Sequence, residues 1–206
     1  MASFTAKGEK SRRRILNTSI RLFARHGLAG VSVDEIVKIA GVNKRMVYHY
    51  FGSKEALYQA ALADEYSKLE ELEIKTLHPG DPIDKVVGDM VSAYFSFLQK
   101  NPDFVQLILQ ENLNQGLNLE RMNAPLSKSP MLNLLIQTVN TGQKNGTVQK
   151  NVDSRFLLIS LIGICMIYCS NRFTLSRALE MDLSSPKVLN RAKKAVIEIL
   201  LNGIKA

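Results

Sequence analysis

The sequence predicts an all-α fold. A three-helix helix-turn-helix domain covers residues 1–53, with its two short helices at about 32–51, and a helical domain covers 54–206. Three observations carry this. Apolar residues recur at helical spacing almost throughout, and no segment shows sustained strand alternation between turn dipeptides. A capping residue stands directly before proline at Asp81-Pro82, Asn101-Pro102, Ser129-Pro130 and Ser185-Pro186. Proline at the first helical position gives up only an N–H that lacks a partner there anyway. Positive charge is concentrated at one end: residues 1–60 hold 11 Lys/Arg against 4 Asp/Glu, a net of +7 in a chain of net +8.

The elements follow in order. Ile15, Leu16, Ser19, Leu22 and Phe23 share one face of a first helix from about Lys10 to His26, stopped by Gly27. Arg12, Arg13 and Arg14 crowd its start, against the helix dipole, which points to a task for those charges. Ser32 and Glu35 form a capping box for a second helix, Val33 to Ala40, and Gly41 ends it. Asn43 caps a third helix, Lys44 to Phe51, and Ser53 caps a fourth beginning at Lys54. The proline signals open helices over about 82–100, 102–115, 130–145 and 186–204, and a further helix spans about Ser154 to Glu180. Loops are expected at 76–81, 116–128 and 146–153.

Composition narrows the class. Hydrophobic residues make up 46% of the chain, enough for a packed core. The charge asymmetry implies a polyanionic partner for the first third, or a solvated basic face. Cys165 and Cys169 lie in an apolar stretch and read as reduced core residues of a cytoplasmic protein. No apolar segment follows the N-terminal charges as a signal peptide requires. The apolar run Phe156 to Cys169 is short of the ~20 residues a membrane span needs. It reads as a buried helix, with no membrane partner.

The two short helices, joined by a glycine turn and packed on a longer first helix, form a helix-turn-helix whose expected core is Ile36, Ile39, Ala40, Val42 and Val47. The residues Arg14-Ile15-Leu16, Leu22-Phe23, Gly27, Val31 to Ile36, Ala40-Gly41-Val42, Val47 to Phe51 and Ser53 to Leu57 closely resemble the DNA reader of the TetR/AcrR family. The likeness covers roughly residues 9–60. It implies double-stranded DNA as partner, with residues 43–49 as the recognition helix in the major groove. Within it Asn43 would be DNA-binding, and Lys44, Arg45 and Met46 would lie nearest the base edges, Arg45 reading guanine O6 and N7. Tyr48, His49, Ser32 and Lys54 would meet phosphates, Val33 would lie among the DNA-binding residues, and Arg12 and Arg13 would follow the backbone or reach a minor groove. By the residues alone, His49 is equally an idle surface group and Lys54 a solubilising one. Asn43 and Met46 depart from the Ser or Thr common in the family. Met46 can contact a thymine methyl but donates no hydrogen bond.

In the larger domain, the helix after Ser154 is apolar nearly all round and the last helix carries an apolar stripe, so both need cover. Pairing them with the same two helices of a second chain would give a homodimer through a four-helix bundle. Phe156, Ile159, Ile162, Gly163, Val188, Ala192, Ala195, Val196, Ile199 and Leu200 would form the interface. The alternative is that they form intramolecular core. The middle helices offer lining for a pocket holding an unknown small-molecule effector: Tyr94, Phe97, Phe104, Leu107, Glu111, Met131, Met166, Tyr168, Asn171 and Arg172. Core packing is the competing reading for each.

No glycine loop is followed by Lys-Ser/Thr, and His26, His49 and His78 stand far apart, so neither a phosphate loop nor a zinc pattern is present. Cys165 and Cys169 share a helix face without a His or Asp at ligand spacing. No nucleophile–base set has a supporting context. No metal, cofactor or enzymatic activity is expected. Two functions fit. One is a ligand-released dimeric repressor on a near-palindromic operator. The other is a DNA-anchored structural or adaptor protein with the same reader and no small effector.

Overall fold

The computed structural model describes residues 6–76, 78–122 and 130–206. They form α1 (Ala6–His26), α2 (Val33–Ala40), α3 (Lys44–Phe51), α4 (Lys54–Thr76), α5 (Ile83–Lys100), α6 (Pro102–Leu113), α7 (Leu117–Arg121), α8 (Pro130–Lys144), α9 (Ser154–Ser170), α10 (Arg172–Ala178) and α11 (Pro186–Ile204). No strand occurs among the described residues beyond one isolated bridge, Val148 to Lys205. The all-α expectation holds.

The chain divides into two compact units, one of residues 1–67 and 103–124, the other of 68–102 and 125–206. The expected boundary at 53 therefore differs from the observed one. The core of α1 to α3 extends past that boundary. Ile15, Phe23, Ile36 and Val47 of α1 to α3 are completed by Leu57, Tyr58, Ala61 and Leu62 of α4 and by Leu107 of α6, all essentially inaccessible. Phe23 and Tyr58 meet edge to face with ring centres 5.1 Å apart. Gly27 shows why α6 belongs to this unit. Its φ of 67° is left-handed, and a Cβ there would stand 2.9 Å from Gln110 Oε1.

Glu111 of α6, 1% exposed, supplies the cap that builds α7. Its Oε1 accepts from the backbone N–H of Asn118 at 2.6 Å and of Leu119 at 3.1 Å, and its Oε2 accepts from Asn118 Nδ2 at 3.0 Å. Within the span read as a loop over 116–128 there is thus a short helix, because its capping carboxylate comes from another element. Residues 123–129, including Ser129 of the proline signals, lie outside the described residues.

In the second unit α5 and α9 pack together, α8 packs on both, and α11 covers α5 and α9. Met90, Phe95, Met131, Leu135, Leu161 and Val196 fill the centre. Cys165 is buried there, and burial pushes its thiol up to about 12, aided by Cys169. It behaves as a small apolar core residue.

Three of the four proline signals mark the first helical residue as expected, at Pro102, Pro130 and Pro186. Pro82 instead precedes its helix as N-cap, while Asp81 binds Lys85 at 2.7 Å. Neither Asn101 nor Ser185 caps by side chain; Asn101 Nδ2 closes α5 by donating to the Phe97 carbonyl at 2.8 Å. Helix α1 starts at Ala6, a turn earlier than expected, with Glu9 set against the arginine cluster. The helix expected over 154–180 is two, bent by 78° at Asn171. No single helix among the described residues is long and apolar enough to cross a membrane.

The Tyr58 hydroxyl is buried beside the Glu111 carboxylate but outside hydrogen-bonding geometry. Its pKa is raised, first by burial and then by that carboxylate. A buried hydroxyl without a partner carries a desolvation cost of about 1–3 kcal/mol. Tyr58→Phe is therefore expected to leave the thermal midpoint unchanged or raise it. A fall would mean that the hydroxyl bonds Glu111 in solution.

Candidate nucleic-acid interface

The turn of the helix-turn-helix is fixed from both sides. Ser32 Oγ accepts from the Glu35 N–H at 3.1 Å and starts α2. Gly41, with φ 61°, ends it by sending its N–H to the Val37 carbonyl. Asn43 Oδ1 accepts from the Arg45 N–H at 2.9 Å and starts α3. The N-cap oxygens read from the sequence are thus in place, while the reciprocal half of the expected Ser32–Glu35 capping box, a bond from the Ser32 N–H to the Glu35 carboxylate, is not found among the described residues. The sequence marks Arg14 as one of three crowded arginines with a task, and the structure shows what that task is. Arg14 Nε donates to the Ala40 carbonyl at 2.9 Å, and one Nη donates to the Gly41 carbonyl at 2.6 Å and to Ala40 as well. The guanidinium caps the negative end of α2 and binds α1 to the turn. The arginine crowding at the start of α1 was the signal that could have found it.

Several expected DNA contacts are engaged within the protein. Arg13 pairs with Asp64 of α4. Arg12 lies over the Phe51 ring, 5.3 Å from its centre, and 3.9 Å from Glu9. Lys44 Nζ stands 2.8 Å and 3.0 Å from the two carboxylate oxygens of Asp34. That hydrogen bond holds the ammonium above its ordinary pKa, against a lowering by burial. Lys54 Nζ donates to the Leu28 carbonyl at 2.9 Å and the Val31 carbonyl at 3.0 Å, so it straps the α1–α2 connection to the start of α4. The expectation of a free phosphate-seeking lysine is corrected at this position.

Two apolar expectations also change. Val33 is buried in the reader core, so only its backbone is available to a phosphate. Met46 is half-buried against the same core rather than fully presented outward. Ile39, expected in the core, is 56% exposed. The inward line of α2 runs Val33, Ile36, Ala40, and Ile39 stands roughly a quarter-turn off it. On the outer face of α3, Arg45, Tyr48 and His49 are exposed. Arg45 is the expected base-reading cation whose side chain makes no hydrogen bond or ion pair among the described residues.

Residues 15–61 match the family described as bacterial regulatory proteins, tetR family, and residues 84–200 match the tetracyclin repressor-like C-terminal domain. The chain belongs to the TetR family. It is 27% identical over 201 residues to the HTH-type transcriptional repressor NicS of Pseudomonas putida, covering 97% of this chain and 94% of that protein. The crystal structure of the transcriptional regulator SCO4942 of Streptomyces coelicolor superposes with a TM-score of 0.69 at 26% identity, covering 94% and 98% of the two chains. The transcriptional regulator FadR of Bacillus subtilis, solved in complex with stearoyl-CoA, has the same fold, with a TM-score of 0.64 at 19% identity over 94% and 99%. As a TetR-family member, the chain is a DNA-binding transcriptional regulator that reads DNA through its N-terminal helices.

In the TetR-type body, the residues expected to line one pocket do not come together. Phe104, Leu107 and Glu111 belong to the unit of the reader, where Leu107 is core and Glu111 caps α7. Asn171 and Arg172 are exposed, not partly buried; Arg172 lies over the Phe173 ring at 4.6 Å. Tyr94, Phe97 and Met131 are buried in the second unit, and Met166 and Tyr168 are half-buried there. Glu73, which sequence reasoning missed, is buried among them. It accepts from the Tyr94 hydroxyl at 3.3 Å and the Met131 N–H at 3.4 Å. A separate open cleft of about 800 Å³ lies between the start of α5, the end of α8 and Lys205.

The expected dimer residues separate by face. Ala192, Val196 and Leu200 are buried in the chain's own core, which overturns their assignment to a partner contact. Ile162 and Val188 are half-buried. Phe156, Ile159, Gly163, Ala195 and Ile199 are exposed.

Lys54→Ala separates a strap from a phosphate contact. Losing two charge-assisted bonds to part-buried carbonyls is expected to cost about 1–3 kcal/mol in urea unfolding. The salt dependence of DNA binding should stay as in the wild type. A slope shallower by about one unit per reader would return Lys54 to the phosphate contacts.

Proposed function

We propose that the protein is a repressor that binds a near-palindromic operator as a homodimer and leaves it when a small molecule binds the body. The observation that carries this reading is the apolar stripe on α9. Phe156, Ile159 and Ile167 are 70%, 64% and 45% exposed. With Gly163 they recur at helical spacing, and Ile199 of α11 is likewise 64% exposed. So many large apolar groups on two neighbouring helices favour association over solvent. An isologous pairing fits twofold DNA, whose half-sites stand about 34–36 Å apart.

Glu73 is a carboxylate in the apolar interior of the body, held by Tyr94 and Met131. A polar group set in an apolar interior is the kind of point that orients a small ligand. FadR's stearoyl-CoA complex is an instance of a small acyl ligand held by the same fold. Release requires that the ligand bind the non-DNA conformation better, with a coupling of about 1–3 kcal/mol being typical. A DNA-anchored adaptor is the second reading. The exposure of Phe173 (71%) and Leu179 (59%) at α10, apart from the α9 stripe, favours it.

Selection of genomic fragments by the purified protein tests the central claim. An enriched inverted repeat is the expected result, and salt-sensitive binding without a shared motif would favour the adaptor. On the enriched repeat, Arg45→Ala should lose about 1–3 kcal/mol of discrimination at one base position per half-site. Equal loss on every sequence would make Arg45 a phosphate contact. Ile159→Asp should yield a folded monomer in analytical ultracentrifugation with unchanged helical content. A surviving dimer would move the interface off α9.

A further inference from the structure

The Asp34–Lys44 pair is placed where it cannot be explained by stability. Asp34 lies in the first turn of α2 and Lys44 opens α3, ten residues later, so the contact bridges the two helices that present the reader to DNA. Both carboxylate oxygens lie within 3.0 Å of the ammonium. The side chains are 73% and 49% exposed, and pairs so open to solvent contribute little to folding. Ser32 starts α2 on the same side, and the N-terminal end of a helix favours anions. The reader thus carries its own anion at a place suited to a phosphate.

We infer that Asp34 is a specificity-determining residue that acts as an internal competitor for Lys44, keeping this lysine, which the likeness sets near the base edges, from the backbone phosphates that flank them until the reader is in register on its operator. The inference rests on the DNA-reading function and concerns how that function is made selective. A phosphate contact by a free lysine is sequence-blind, because every duplex offers the same charge. Tying Lys44 to Asp34 removes that contribution from non-specific encounters. Arg45 stays outside the pair, and its side chain remains exposed on α3. On the right sequence, base contacts by Arg45 hold the helix in place long enough for a phosphate to take over Lys44. On the wrong sequence the carboxylate keeps it. Asp34 thereby lowers affinity for all DNA, and lowers it most for DNA that is not the operator.

The test compares wild type, Asp34→Asn, Lys44→Ala and the double variant on a random-sequence duplex and on the operator, across 50 to 200 mM salt. Asp34→Asn should bind the random duplex more tightly, with a salt slope steeper by about 0.9 per reader. Over that salt range this is an extra loss of about threefold to fourfold per reader. The ratio of operator to random affinity should fall. In the Lys44→Ala background, Asp34→Asn should change the slope little. An equal gain with and without Lys44 would mean simple repulsion between Asp34 and DNA, and would overturn the competition. Weaker operator binding by Asp34→Asn, with random DNA unaffected, would make Asp34 a base contact and overturn it too. Equal slopes for all four proteins sink this inference alone. No DNA binding by any of them sinks the DNA-reading function, and this inference with it. Equal thermal midpoints for the four proteins are the expected control for folding.

Discussion

Arg14 reaches from α1 to the carbonyls of Ala40 and Gly41, and the geometry of the reader depends on that contact. A helix of eight residues is marginal in water on propensity alone. Both α2 and α3 are that short, and the turn between them buries only small groups. What holds the turn is a cation fastened to the end of α2, where unpaired carbonyls concentrate negative potential. Gly41 cooperates by taking the left-handed conformation that turns those carbonyls outward. A Cβ on it would stand 3.2 Å from the guanidinium, so the close approach and the glycine are parts of one arrangement. Lys54 repeats the device one connection earlier, on the carbonyls of Leu28 and Val31. Two long basic side chains thus do for the reader what a larger core would otherwise have to do.

This changes the meaning of the basic N-terminal third. Its net charge of +7 is real, and at distances up to about a Debye length it attracts a polyanion whatever the individual side chains are doing. At contact range the picture is different. Arg12, Arg13, Arg14, Lys44 and Lys54 each have a partner within the protein. Charge counting describes the field and says nothing of which cations are free to touch DNA. The two scales therefore separate: attraction comes from the sum, and selectivity from the few groups left unengaged.

That separation explains what was legible in the sequence. Helices α2 and α3, their caps and their glycine stop were readable because each signal is local: Ser32 bonds residue 35, Asn43 bonds residue 45, and Gly41 needs only its own φ. The family likeness covered the same stretch. The missed features are non-local. Glu111 caps α7 from another helix, Asp34 claims Lys44 across the turn, and Arg13 pairs with Asp64 across 51 positions of sequence. Periodicity also overreached where a helix is apolar on several sides. Ala192, Val196 and Leu200 share the stripe of Ile199, yet a small rotation about α11 puts them in the core and Ile199 in solvent. The pocket was the least readable, since an aromatic in a lining and an aromatic in a core have the same spacing.

Glu111 and Leu107 fasten α6 within the unit that contains the reader. Leu107 and Glu111 lie one turn apart on α6. Leu107 fills the core formed by α1 to α4, while Glu111 fixes the next helix through three hydrogen bonds. Packed interiors do not deform continuously, so a displacement of α6 cannot be absorbed by Leu107 alone. It must either carry the reader core with it or break the α7 cap and expose a buried carboxylate. The second course is costly, because an uncompensated charge would be left in an apolar setting. Leu107 and the Glu111 cap thus tie α6 at once to the core formed by α1 to α4 and to α7.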